Sequence, residues 1–254
     1  MEQITSRKNP LCTHFRKLAS SRSYREEAGE FLCDSPKLLR EAALWGASVG
    51  AVLFTEGAGL PPLADNSVRL VQVSESVMES VSPMETPQGV VFSCRMGKQE
   101  PPSPLERGRY LLLEGVQDPG NVGTILRTAD AFDVDGIFLL EGCADLYNPK
   151  TVRSAMGVHF RRAVWRCSLE RAAALVKEAG LPLYGAALGE RTVDVRQADL
   201  RQAAVLIGSE GRGLSPAALA ACTAALKIPM SSRCESLNAG AAAAVILWEM
   251  ARRD

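Results

Sequence analysis

The chain has 254 residues, 46% hydrophobic and 23% charged, with 29 basic side chains against 29 acidic ones. This balance excludes a disordered chain, a collagen-like fibre and a coiled coil, and the length suits one large domain or two modest ones. The longest apolar run, Ala239 to Trp248, is ten residues, against about 20 for a membrane span, and the first residues lack a secretion-signal core, so a cytoplasmic location is expected.

The first 25 residues carry six basic side chains (Arg7, Lys8, Arg16, Lys17, Arg22, Arg25) and one acid, Glu2. A basic arm suits a polyanion such as nucleic acid, and equally a solvated helix face. HFRKLASSRSYREEAGEFL begins with a helix. SPKLLREAALWG predicts a second, with Ser35 as cap, Pro36 in the first turn and Leu38, Leu39, Ala42 and Ala43 as its stripe. ASVGAVLFTEG and VRLVQVS predict strands. SVMESVSPMETPQGVVFSCRM predicts a short helix, a turn region and a final strand. GKQEPPSPLERGR, with its clustered prolines, marks a linker over residues 99–107. It divides a small α/β domain, 1–98, from a second domain, 108–254.

The second domain alternates more regularly. YLLLEGV is an apolar strand of the kind found in a buried parallel sheet. PGNVGTILRTADAFDVDG follows as a helix with Ile125, Ala129 and Phe132 on its apolar face. GIFLLEG, LPLYGAAL and AAVLIGS predict strands and LERAAALVKEAG a helix. The last helix runs from about Ser236 to Arg252, with Ala239, Ala243, Ile246, Leu247 and Met250 buried. Such alternation predicts an α/β fold with a parallel sheet covered on both faces.

Three stretches are richer than folding requires. In LEGVQDPGNVGTILRTADAF, Asn121 sits at a strand-to-helix turn, where parallel sheets bind ligands, and it could equally be a simple cap. Arg127, in a largely apolar helix, either snorkels outward or serves an anion or a partner. In VLIGSEGRGLSPAAL, Gly208, Gly211 and Gly213 follow a strand, but neither a Walker loop nor a dinucleotide fingerprint is present. Glu210 is the acid between those glycines. In LKIPMSSRCESLNAG, an extended IPM precedes a polar loop, and Ser236 or Asn238 opens the last helix. Seven scattered cysteines and two histidines, His14 and His159, offer no ligand set for a metal.

In this order and spacing the three stretches resemble the motifs of the SpoU (TrmH-type) RNA ribose 2′-O-methyltransferases of the SPOUT superfamily. The first appears as Asn121 to Arg127, the second as IGSEGRGLS and the third as IPMSSRCESLNAG. ITSRKNPLCTHFRKL and TPQGVVFSC resemble the small substrate-binding domain that precedes the catalytic domain in many members. The resemblance implies a SPOUT-type parallel sheet with a carboxy-terminal trefoil knot, and S-adenosylmethionine as cofactor. Gly208, Ile228 and Leu237 match its binding positions, with Pro229 and Met230 lining the pocket. Arg127 matches the residue that activates the ribose hydroxyl. Asn121, Glu210, Ser236 and Asn238 match the other polar positions. RNA contacts fall to Arg7, Lys8, Arg16 and Lys17.

A homodimer is also implied, in which one subunit's Arg127 meets the other's cofactor. The expected substrate is ribosomal RNA of the 23S type. The alternatives are transfer RNA, or a non-catalytic RNA-binding assembly factor. Many members read SLNVS where this chain reads SLNAG, so the last helix begins on smaller residues.

Overall fold

The computed structural model describes residues 2–189, 192–231, 233–234 and 236–252. Ser232 and Glu235, both in the third motif, lie outside the described residues. The chain forms two compact units, residues 1–97 with 145–161, and residues 98–144 with 162–254. The segment 145–161, assigned from sequence to the second domain, thus packs with the first unit.

Along the first unit run β1 (Glu2–Ile4), α1 (Pro10–Ser20), α2 (Arg22–Ala28), β2 (Glu30–Asp34), α3 (Pro36–Leu44), β3 (Val49–Phe54), β4 (Arg69–Val73), α4 (Glu75–Val81) and β5 (Val90–Arg95). Its sheet has the order β1-β4-β3-β5-β2. The β1, β4 and β3 strands are parallel, and β5 runs antiparallel to both β3 and β2. Ser35 caps α3 as expected, its side chain accepting from the Leu38 amide at 3.2 Å. The expected first helix is broken in two at Ser21. That residue's amide closes α1 on the Lys17 carbonyl, while its hydroxyl caps α2.

The second unit begins with β6 (Tyr110–Leu113), α5 (Pro119–Ala131) and β7 (Gly136–Leu139). The chain then contributes α6 (Pro149–Ala155) to the first unit before returning. There follow β8 (Val164–Arg166), α7 (Leu169–Glu178), β9 (Leu183–Ala186), β10 (Thr192–Asp194), β11 (Ala204–Ile207), α8 (Pro216–Ala221), β12 (Ala224–Lys227) and α9 (Ala239–Ala251). Their sheet has the order β10-β12-β9-β11-β6-β7-β8, with every pairing parallel. Every residue of β6, β7 and β11 is buried, as apolar strands covered on both faces must be.

Helix α9 packs on α5, and its Ala239, Ala243, Ile246, Leu247 and Met250 are all buried. One expectation shifts. Phe132 is the C-cap of α5 rather than part of its buried face, and its ring meets the edge of Trp248 at 5.8 Å. The IPM segment follows β12, which ends at Lys227. Among the described residues no helix is long and apolar enough to cross a membrane.

Charge and aromatic contacts hold 145–161 within the first unit. Arg25 is 3% exposed and donates to the Leu18 carbonyl at 2.6 Å and to Asp145 at 2.6 Å. It therefore does not belong to a solvated basic face. Arg161 pairs with Glu41 at 2.9 Å. The Phe31 ring of β2 lies 4.6 Å from Tyr147 and 5.8 Å from His159. His159 Nε2–H donates to the Leu146 carbonyl at 2.8 Å, and Nδ1 is buried without a partner among the described residues. Burial lowers the His159 pKa to about 4.

The fold thus favours the neutral ring, so an unfolded chain with a histidine near pKa 6.5 binds the extra proton. Stability from this source is complete above about pH 6.5 and falls as pH drops toward 4, by about 2 kcal/mol at pH 5. Denaturant unfolding of the wild type and of His159→Gln at pH 7.5 and pH 5 should show a smaller pH loss in the variant. Equal losses would mean that the ring is not held neutral.

Candidate functional site

The site is built where three strands end. Past β6 the chain turns through Glu114 and Gly115 to Asp118, whose carboxylate caps α5 by accepting from the Asn121 amide at 2.9 Å. Asn121 is therefore not the cap, and its side chain reaches elsewhere. Its Nδ2–H donates to the Glu210 carboxylate, and its Oδ1 accepts from Asn238 Nδ2 at 3.2 Å. Asn238 is itself the cap of α9, its Oδ1 accepting from the amides of Gly240 at 2.9 Å and Ala241 at 3.3 Å. One residue from each motif thus joins a single hydrogen-bond chain. Gly240 contributes by having no side chain: a Cβ there would stand 3.1 Å from Asn238 Oδ1 and 3.6 Å from Thr124.

The glycine loop closes against its own start. A Cβ on Gly208 would lie 2.3 Å from the Gly213 carbonyl and 2.6 Å from the Leu214 nitrogen. Gly213 has φ 66 and donates its N–H to the Ser209 carbonyl at 2.9 Å. Ser215 caps α8, and the Glu114 carboxylate accepts from both its amide, at 2.9 Å, and its hydroxyl, at 2.7 Å. Glu114 was missed from sequence, although an acid directly after an apolar strand is a readable signal.

A cavity of about 360 Å³ opens outside the carboxyl ends of β9, β11 and β12, where parallel sheets bind ligands. Of the residues expected there, Gly208, Ile228, Met230 and Leu237 line it, together with Glu210 and Ser236. Pro229 lines a neighbouring depression with Asp194 and Lys227. Asn121 and Asn238 stand behind Glu210 in the hydrogen-bond chain rather than in the wall.

Arg127 is exposed and forms no side-chain hydrogen bond or ion pair among the described residues. It lies six residues beyond Asn121 on α5, about 9 Å along the axis and about 240° around it.

In the first unit Arg7 lies 3.9 Å from Glu79. Arg16 donates to the Arg7 carbonyl, Lys17 covers the Tyr24 ring and Lys8 is exposed. A larger open hollow of about 700 Å³ lies in that unit, floored by small residues such as Ala47 and Gly50. No motif residue reaches it, so volume alone does not select the site.

Residues 108–248 match the model of the SpoU rRNA Methylase family, more than half of the chain. The chain belongs to this family. Residues 2–91 of this SpoU methylase also match an MRM3-like substrate binding domain. It is 34% identical over 253 residues to the 23S rRNA (guanosine(2553)-2′-O)-methyltransferase RlmP of Bacillus subtilis (strain 168), covering 98% of this chain and 99% of that protein. It is 31% identical over 265 residues to the 23S rRNA (uridine(2479)-2′-O)-methyltransferase of Streptomyces viridochromogenes, covering 99% and 92%. The crystal structure of an AdoMet-bound rRNA methyltransferase from Sinorhizobium meliloti superposes with a TM-score of 0.85 at 28% identity, covering 98% of this chain and 97% of that one.

Two glycines of the second motif make opposite predictions for this SpoU methylase. Gly208→Ala should cost about 1–3 kcal/mol, because the methyl group must push the Gly213 backbone aside. The amide of Gly213 should then exchange faster with solvent. Gly211 has open space around it, so Gly211→Ala should leave both readouts near wild type. Similar unfolding midpoints for the two variants would mean that the loop does not close on Gly208.

Proposed function

We propose that this SpoU methylase transfers the methyl group of S-adenosylmethionine to a ribose 2′-hydroxyl in 23S-type ribosomal RNA. The observation that carries the reading is the chain Asn238–Asn121–Glu210, which draws all three motifs to the rim of one cavity outside the sheet's carboxyl ends. The relatives' activities point the same way.

The cavity fits the cofactor by its chemistry. Leu226, Ile228 and Leu237 offer an apolar wall for an adenine ring, and the bare backbone at Gly208 lets polar groups approach the chain. Its volume falls in the range of small-ligand sites. When bound, S-adenosylmethionine supplies an electrophilic sulfonium methyl. Its transfer to the 2′-oxygen would break the sulfonium C–S bond, leave the thioether S-adenosylhomocysteine and release the hydroxyl proton to solvent. A guanidinium stays protonated, so Arg127 positions and activates the hydroxyl rather than removing its proton. It does so through the adjacent phosphate or by stabilising developing negative charge. Asn121, Asn238 and Ser236 position the ribose end of the site, and Glu210 organises the glycine loop.

The enzyme acts as a homodimer in this reading. Arg127 has no side-chain partner among the described residues, and α9 leaves Trp248 60% and Val245 38% exposed. A second copy covering that apolar face would bring Arg127 to the other subunit's cavity. The reading includes a trefoil knot, supported by the return of β12 between β9 and β10. It also takes in a cytoplasmic location, domain limits of 1–98 and 108–254 apart from the segment 145–161 that packs with the first unit, and RNA contacts through Arg7, Lys8, Arg16 and Lys17.

Labelled S-adenosylmethionine, offered to ribosomal and transfer RNA pools that lack 2′-O-methylation, should label ribosomal RNA alone, in nuclease-resistant linkages. Arg127→Ala should abolish the label while cofactor affinity stays within about tenfold, or about 1.4 kcal/mol. Label in transfer RNA would redirect the substrate. No label despite cofactor binding would favour the non-catalytic assembly factor. By sedimentation the wild type should be a dimer, and Trp248→Glu should shift it toward monomer with loss of transfer.

A further inference from the structure

Among the described residues that line the cavity, Arg212 is the only cation and Glu210 the only carboxylate. The carboxylate is engaged, because Asn121 donates to it. The guanidinium is not: among the described residues it has no hydrogen bond or ion pair, and only the Arg212 amide is held, by Ser209 Oγ at 3.2 Å. The backbone beneath it is fixed by the Gly213 to Ser209 bond at 2.9 Å. The exposed Arg212 therefore brings an unpaired guanidinium, on an anchored backbone, to a cavity whose other polar side chains are Ser209, Glu210 and Ser236. A guanidinium in such a place is matched by an anion with two oxygens in a plane.

Resting on the cofactor reading above, we infer that Arg212 binds the α-carboxylate at the methionine end of S-adenosylmethionine. That carboxylate is the only anionic group of the cofactor at neutral pH. Enclosed in a partly apolar cavity without a cation it would lose hydration with no compensation. The adenine end needs no such partner, and apolar walls with bare backbone suffice for it. Arg212 is thus a cofactor-binding residue that discriminates by charge.

The test uses the full-length protein without RNA and reads binding rather than turnover. Calorimetry gives the affinities of S-adenosylmethionine and of its decarboxylated analogue, which keeps the adenosine, sulfonium and amine. The wild type should prefer the cofactor over the analogue by about ten- to hundredfold, the range of charge-assisted hydrogen bonds. Arg212→Met should weaken the cofactor by a similar factor, leave the analogue unchanged and unfold at the wild-type midpoint. Arg212→Lys should restore part of the preference.

The inference is overturned if Arg212→Met weakens both ligands equally, which would make the arginine a support of the loop. It is also overturned if neither affinity changes, and a separate RNA titration weakened by the same variant would then assign Arg212 to a phosphate. If the wild type binds neither ligand, the cofactor reading itself fails, and with it this assignment.

Discussion

An asparagine side chain donates at one end and accepts at the other, and Asn121 uses both ends within the second unit. Through them the start of α5 is tied to the glycine loop on one side and to the start of α9 on the other. The arrangement requires that Asn121 not be needed as a cap, and Asp118 meets that need three residues earlier. It also requires that α9 begin close by, which the missing side chain at Gly240 permits. Each bond is partly exposed and contributes only about 0.5–1.5 kcal/mol. Their importance lies in geometry, since they fix the relative positions of residues far apart in sequence.

The cavity beside this chain is shaped largely by backbone. Gly208 lets the loop fold onto its own beginning, and the Glu114 carboxylate holds Ser215 at the loop's end by two bonds. A ligand held this way leaves little trace in charged residues, so neither a phosphate loop nor a ribose-binding acid marks the sequence. Arg127 follows a different logic. Its place on α5 turns it away from the Asn121 chain, and among the described residues its side chain has no hydrogen bond or ion pair.

Legibility in the sequence followed the range of the interaction. Strands β6, β7 and β11 are apolar throughout and show themselves locally, as do the Ser-Pro starts of α3 and α8. The strands β1, β8 and β10 gave no signal, because three residues are too few to show an alternation or an apolar run. Arg25 looked like part of a basic arm until Asp145 was seen beside it. Six of the ten expected catalytic and cofactor-binding residues line the cavity (Gly208, Glu210, Ile228, Met230, Ser236, Leu237). The motifs carry their identities, but only the folded chain shows that Asn238 is joined through Asn121 to Glu210.

The excursion of residues 145–161 into the first unit has a consequence for how the chain emerges from the ribosome. The core around Phe31 and the ion pairs of Arg25 and Glu41 are completed by Tyr147, Asp145 and Arg161. Those partners are synthesised after β6, α5 and β7 of the second unit. At roughly 5–20 residues per second, the first unit waits roughly 3–13 s between residue 97 and residue 161 with an open flank. During that interval two strands of the parallel sheet are already exposed beside it in the nascent chain. The two units therefore cannot fold in strict succession, and a graft that moves the first unit to another protein must carry 145–161 with it.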